Sequence, residues 1–233
     1  MYKYDLGIIG GMGSEATVEI YKRIIDRTYH TCDQEHMRIC ILNNSIIPDR
    51  TNCILNNGEN PLPYLNESIK DLENIKAKYF IVPCNTAHHF TPLFKTSNIK
   101  FISMIEETLN FIKNNYKDSK VCILGTHGTI NSKVYHDNIN AVGIDFVYCD
   151  KHEQDNIMNV INDTKSDKNR NMIKNNLLNT VMSIKEREGN CLFVLACTEL
   201  SLYLEDTKAI VNVIDAMDCL VNNAILKCGY KLK

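Results

Sequence analysis

The sequence predicts an α/β fold built as two similar lobes, each a mostly parallel sheet flanked by helices. Three observations carry that reading. Short apolar runs alternate with segments whose apolar residues recur at helical spacing, the signature of βαβ construction. Two of the runs, 79–86 and 191–199, bring a cysteine to the end of a strand with a threonine one or two residues later. Two earlier runs, 5–11 and 120–126, end in small residues, and the interval from Gly10 to Cys84 matches that from Gly125 to Cys197 to within two residues. A chain of 233 residues whose landmarks repeat at nearly half its length reads as a duplicated unit.

Taken in order, the first strand runs into the turn Gly10-Gly11-Met12-Gly13. Ala16, Ile20 and Ile24, with Thr17, Tyr21 and Ile25 beside them, then predict a helix, with Ser14 as its N-cap and Glu15 in its first turn. Residues 37–43 predict the second strand, and 51–63, with Gly58, Pro61 and Pro63 among asparagines, a loop. Leu65, Ile69, Leu72 and Ile75 mark the helix before the Cys84 strand. The second unit repeats the plan. Residues 146–149 form its strand, and Met172, Ile173, Leu177, Val181 and Ile184 its helix before the Cys197 strand. The polar segment 163–171 is a loop or helix end, and a last helix near 216–227 is expected to return to the first lobe. The lobe boundary is expected near 96–101, giving a first lobe of 1–98, joined by 210–233, and a second of 99–209.

Bulk properties exclude several classes of function. A hydrophobic content of 44% with 23% charged residues is ordinary for a soluble globular protein. A net charge of −2 gives no electrostatic footprint for nucleic acid or an anionic membrane. No apolar stretch approaches the ~18 residues needed to span a bilayer. No basic segment with a cleavage site precedes the strand that begins by Asp5, so no secretion signal is expected. The ten cysteines are then expected to be free thiols of a reducing, cytoplasmic compartment, with Cys40, Cys122 and Cys191 acting as small hydrophobes within strands. Cys149-x-x-His152 has no second pair to complete a zinc site, so no metal is expected.

Each candidate site residue has a bland role beside its functional one. Gly11, Gly13 and Ala16 give a loose G-x-G-x-x-A match, but the second strand ends Leu42-Asn43-Asn44, with no carboxylate for a ribose. The turn suits either an anion at a helix N-terminus or simple helix-on-strand packing. Arg50 offers a planar fork for a carboxylate and Asp49 could orient it; alone, a solvated loop arginine is the simpler reading. Cys84 and Cys197 sit where a following helix would lower a thiol's pKa, and Asn85, Thr86 and Thr198 could donate to a carboxylate. A single strand-end cysteine would be inert packing; two at matched positions suggest paired acid/base groups. His88 and His89 fit packing or surface roles better than assistance to Cys84. Thr126, Gly128 and Thr129 stand where the first unit has its glycine turn. Glu199 could bind an ammonium or pair with a basic residue, and nothing local singles out Lys165.

Gly10-Gly11-Met12-Gly13, Ile47-Pro48-Asp49-Arg50-Thr51, Pro83-Cys84-Asn85-Thr86-Ala87-His88, Gly125-Thr126-His127-Gly128-Thr129 and Cys197-Thr198-Glu199-Leu200 together resemble the signature set of the aspartate/glutamate racemase superfamily. The likeness is greatest to its cofactor-independent aspartate racemase branch, and the motifs cover essentially the whole chain. The resemblance implies two lobes related by a pseudo-twofold axis, an active site in the cleft between them, no cofactor, a small amino-acid substrate and a homodimer. It makes Cys84 and Cys197 the two catalytic acid/bases. It sets Arg50 and Lys165 on the substrate's side-chain carboxylate, with Lys168 competing for the second place. Asn85, Thr86, Thr126 and Thr198 match positions around the α-carboxylate and ammonium. Met12, Ser14, Asp49 and Glu199 complete the substrate-binding candidates. The family commonly has proline where this chain has Ser14, and glycine where it has Ala196. One extra methyl at Ala196 could tighten the pocket. Glutamate racemases have Cys-Thr-His where this chain has Cys197-Thr198-Glu199, and Asp-Ser near the first glycine.

The implied reaction is interconversion of L- and D-aspartate by thiolate and thiol, without pyridoxal phosphate. Glutamate or broader specificity, a nicotinamide-dependent oxidoreductase and a non-catalytic amino-acid-binding protein are the alternatives.

Overall fold

A computed structural model describes residues 2–117, 119–136, 145–166 and 168–233, and these form two compact units, 1–107 with 217–233, and 108–216. Each unit holds one four-stranded sheet in which every pairing is parallel.

In the first unit β1 (Tyr4–Gly10), β2 (Ile39–Asn43), β3 (Ala77–Ile81) and β4 (Lys100–Phe101) lie in the order β2-β1-β3-β4. The direction of winding reverses between β1 and β3, where open α/β sheets place ligands at the carboxyl ends of their strands. Helix α1 (Ser14–Arg27) buries Ala16, Thr17, Ile20 and Ile24, the face its spacing predicts. Helix α3 (Leu62–Asn74) buries Leu65, Ile69 and Leu72 in one core with Ile9, Phe80 and Val82. Each such fully buried aliphatic side chain contributes about 1.5–3 kcal/mol. The C-terminal helix α9 (Ala216–Lys227) belongs to this unit, and Asp218 on it takes Arg23 and Arg27 of α1, each at 2.6 Å. Helix α4 (Met104–Asn115) carries the division between the units, at Glu107 and Thr108.

Two local expectations are corrected here. Ser14 does not cap α1 but opens it. The cap position is Gly13, in extended backbone and with no side-chain cap bond, because Thr17 closes this turn instead. Its hydroxyl accepts from the Gly11 N–H at 3.0 Å and donates to the Gly13 carbonyl at 3.0 Å. Gly10 must be glycine, since a Cβ there would lie 2.3 Å from that hydroxyl, and Gly11 has φ of +89°. Residues 51–56 are not loop either: α2 spans Arg50–Asn56. Composition hid it because its ends are set by single contacts. Asp49 caps it, accepting the Asn52 N–H at 2.6 Å, and left-handed Asn57 stops it.

In the second unit β5 (Val121–Gly125), β6 (Phe146–Val147), β7 (Leu192–Ala196) and β8 (Val213–Asp215) repeat the plan in the order β6-β5-β7-β8, with the reversal between β5 and β7. Strands β2 and β6 are shorter than their apolar runs, each keeping only the residues that pair with the central strand. A short helix α5 (His127–Asn131) follows β5. Helices α6 (Lys151–Lys165) and α7 (Arg170–Glu188) supply Ile157, Val160, Ile161, Ile173, Leu177, Val181 and Ile184 to the core, while Met172 is exposed. The start of α6 is fixed by a capping box between Asp150 and Glu153. A short helix α8 (Leu204–Lys208) precedes β8.

Candidate active site

Each switch point carries one of the two cysteines. In the first unit the Ile8–Ile81 register brings the end of β1, with Gly10, beside the end of β3, whose continuation carries Cys84. In the second, Gly125 is paired directly with Ala196, the residue before Cys197. The duplicated spacing therefore corresponds to equivalent places in two equivalent sheets.

Around Cys84, Met12 and Ile47 share its buried cluster. Asn85 and Thr86 are buried at the start of a 3₁₀ stretch, Thr86–Leu93, rather than of an α-helix. His88, one turn on, does not reach the thiol. Its Nδ1 bonds the Cys84 carbonyl at 2.9 Å, and its Nε2 accepts the Met104 N–H at 3.0 Å. Burial pushes its pKa down to about 4, so it is neutral and structural. His89 is exposed.

Arg50 is not a solvated loop residue. It is buried, with Nη1 donating to the carbonyls of Ile47 (3.2 Å) and Pro48 (3.0 Å) and Nη2 to that of Met12 (3.0 Å). Three carbonyls aim the guanidinium but do not neutralise it. Its buried Nε has no hydrogen-bond partner, and no carboxylate pairs with it among the described residues. A buried cation left so is costly, and an anionic ligand would relieve the cost. Asp49 does not orient it, because that carboxylate is taken by the α2 cap. Ser14 Oγ accepts from Asn43 Nδ2 at 3.1 Å, so the place where a dinucleotide site would hold a ribose carboxylate is an amide tied to a serine.

In the second unit Thr126 is the N-cap of α5 and accepts the Thr129 N–H at 3.0 Å, with the two hydroxyls 3.1 Å apart. Gln154 of α6, not singled out from sequence, donates to the Gly125 carbonyl at 2.9 Å. Its only signal would have been its place in the first turn of that helix. Cys197 and Glu199 lie together: the thiol donates to Glu199 Oε2 at 2.9 Å, as does the Thr198 hydroxyl at 3.2 Å. Lys165 Nζ is 4.0 Å from the other carboxylate oxygen. Lys168 instead points to Asp163 at 2.5 Å and is more than half exposed. The expected lowering of the Cys197 pKa by a helix N-terminus is overturned. Burial and the Glu199 charge push the thiol well up, and Lys165 pulls it partly back. Beyond it the chain turns into a 3₁₀ stretch, Leu200–Tyr203, rather than an α-helix. Ala196 is fully buried, its methyl covered by protein. No group of three or more metal-ligating side chains occurs among the described residues.

These sites can be set beside known proteins. Residues 9–224 match the family model described as Asp/Glu/hydantoin racemase. The chain belongs to the Asp/Glu/hydantoin racemase family. The chain is similar in fold to the aspartate racemase of Picrophilus torridus, at a TM-score of 0.88 and 31% identity, covering 98% of this chain and 95% of that one. An aspartate racemase homologue from Pyrococcus horikoshii OT3 shares the fold at a TM-score of 0.75 and 22% identity, over 96% of this chain and 98% of that one. The broad-specificity amino-acid racemase RacX of Bacillus subtilis is 25% identical over 227 residues, spanning 94% of this chain and 96% of its own. No helix among the described residues is long and apolar enough to cross a membrane.

Proposed function

We propose that the protein is a pyridoxal-phosphate-independent racemase that interconverts L- and D-aspartate. The observation that carries the reading is the equivalence of Cys84 and Cys197, each beside the carboxyl end of the strand that flanks its own sheet's switch point. One thiolate removes the α-proton from one face of the substrate, and the opposite thiol protonates the other face. The α-proton is far less acidic than a thiol, and each pKa unit of that gap costs about 1.4 kcal/mol. Asn85, Thr86, Thr126 and Thr198 are assigned to the α-carboxylate and ammonium, where donors stabilise the charge that builds as the proton leaves. Arg50 and Lys165 are assigned to the side-chain carboxylate. The buried guanidinium with its unpartnered Nε supports the first assignment, and the burial of Met12 beside it supports that residue as a wall of the pocket. A homodimer in a reducing, cytoplasmic setting completes the proposal, resting on the family resemblance and on ten free cysteines.

A second reading is favoured by the likeness to RacX: several amino acids share the site. Proton NMR with L-aspartate in D2O, without added pyridoxal phosphate, followed by chiral analysis, tests the first. Loss of the α-proton signal with appearance of D-aspartate is expected. Turnover of neutral amino acids at rates similar to aspartate would establish the second reading, and no exchange with any amino acid would refute both.

A further inference from the structure

The two cysteines stand in unlike surroundings. The Cys84 thiol has no hydrogen-bond partner among the described residues, whereas the buried Cys197 thiol donates to a carboxylate. The difference comes from local chain geometry. The Leu200 N–H bonds the Cys197 carbonyl at 3.0 Å, and the tight turn that results folds Glu199 back over the sulfur two residues before it. The carboxylate is then shared three ways: Oε2 takes the thiol and the Thr198 hydroxyl, and Oε1 faces Lys165 at 4.0 Å. Two nearby groups have hydrogen-bond partners of their own. Asp215 at the end of β8 accepts the Ser201 hydroxyl at 2.8 Å, and the Tyr203 hydroxyl meets that of Thr164 at 3.3 Å. Among the described residues, Cys197 meets the Glu199 carboxylate and, behind it, the Lys165 ammonium.

We infer that Glu199 is a positioning residue for Cys197, aiming its thiol and holding its proton, and that Lys165 moderates that hold by sharing the carboxylate's charge. The inference rests on the reading of Cys197 as an acid/base group, and it takes Glu199 away from the substrate ammonium. Its chemical consequence is an unequal pair. Glu199 holds the proton on Cys197, which suits this thiol to act as the acid. In the reverse direction its thiolate is hard to form but, once formed, is the stronger base toward a weakly acidic carbon.

The test is the pH dependence of iodoacetamide alkylation at Cys197, followed by mass spectrometry of its peptide in the intact, folded protein. Glu199→Gln keeps an acceptor for the thiol and removes the charge. It is expected to move the alkylation midpoint down and to speed reaction several-fold at neutral pH. Lys165→Met is expected to move the midpoint up and to slow the reaction. Opposite shifts are what charge coupling requires, and a merely structural role for either residue would not produce them. Midpoints that coincide in all three proteins, or that move in the same direction, overturn the proposal. If Glu199→Gln fails to fold, an unmoved midpoint in Lys165→Met overturns it and an upward one supports it. Alkylation needs no turnover, so the two readings separate: a protein without racemase activity but with opposite shifts refutes only the functional reading, and an active racemase with unmoved midpoints refutes only this one.

Discussion

His88 bonds the carbonyl of Cys84 through Nδ1 at 2.9 Å and accepts the Met104 N–H through Nε2 at 3.0 Å. With Nε2 an acceptor, Nδ1 must carry the only ring proton, so the arrangement exists only for the neutral imidazole. One ring thus ties the strand end that carries Cys84 to the first residue of α4.

Acid should loosen this tie first. Burial lowers the folded-state pKa of His88 from its ordinary 6.5 to about 4, so between those values the unfolded chain binds the extra proton. The histidine's contribution is fully present above pH about 6.5 and is lost as pH falls toward 4, by about 3 kcal/mol in all. Urea midpoints measured from pH 7 to pH 4.5 are expected to fall more steeply for the native protein than for His88→Asn, which lacks the titrating group. Parallel slopes would refute the assignment.

Arg50 should be a matter of affinity. Its three carbonyl partners fix the fork's plane, which a lysine cannot reproduce. Arg50→Lys is expected to raise KM for aspartate about tenfold or more, the value of one charged hydrogen bond, while changing kcat less. Steady-state kinetics on both enantiomers would show it. An unchanged KM would remove Arg50 from the substrate.

The sheets and main helices were legible because their signals are periodic. Ile20 and Ile24, or Leu177, Val181 and Ile184, face one core at helical spacing whatever surrounds them. What escaped was set by single contacts. Thr17, not Ser14, closes the first turn, and Asp49, which by its place in the sequence could orient Arg50, is made the cap of α2 by one hydrogen bond. The surroundings of Cys197 were illegible for the same reason. A thiol meeting the carboxylate two residues on depends on a 3₁₀ turn that no hydrophobic pattern announces, and Lys165 parts from Lys168 only through the partner each reaches.

The two thiols should be individually necessary. Cys84→Ala and Cys197→Ala are each expected to cut racemisation by about 10²–10⁴, the range for loss of a placed acid/base group. Each removes only one sulfur atom from a buried site, so unfolding free energy should fall by about 1 kcal/mol. Chiral chromatography beside urea denaturation separates the effects. A fully active variant that stays folded would take that cysteine out of the mechanism.

Glu153 carries the same logic into stability, away from the candidate site's thiols. Its side chain is buried, closes the α6 capping box by accepting the Asp150 N–H at 2.8 Å, and receives Arg187 of α7 at 2.7 Å. One carboxylate therefore starts α6 and ties it to α7. Glu153→Ala orphans both donors, and the half-exposed Arg187 can recover water while the buried cap cannot. The expected loss is about 2–3 kcal/mol, below that of breaking a fully buried pair. Glu153→Gln keeps an oxygen for the Asp150 N–H and loses only the ionic part, so it should fall between the native protein and the alanine variant. Urea unfolding with an unchanged m-value would report this order, and equal stabilities for Gln and Ala would mean that the cap bond contributes nothing.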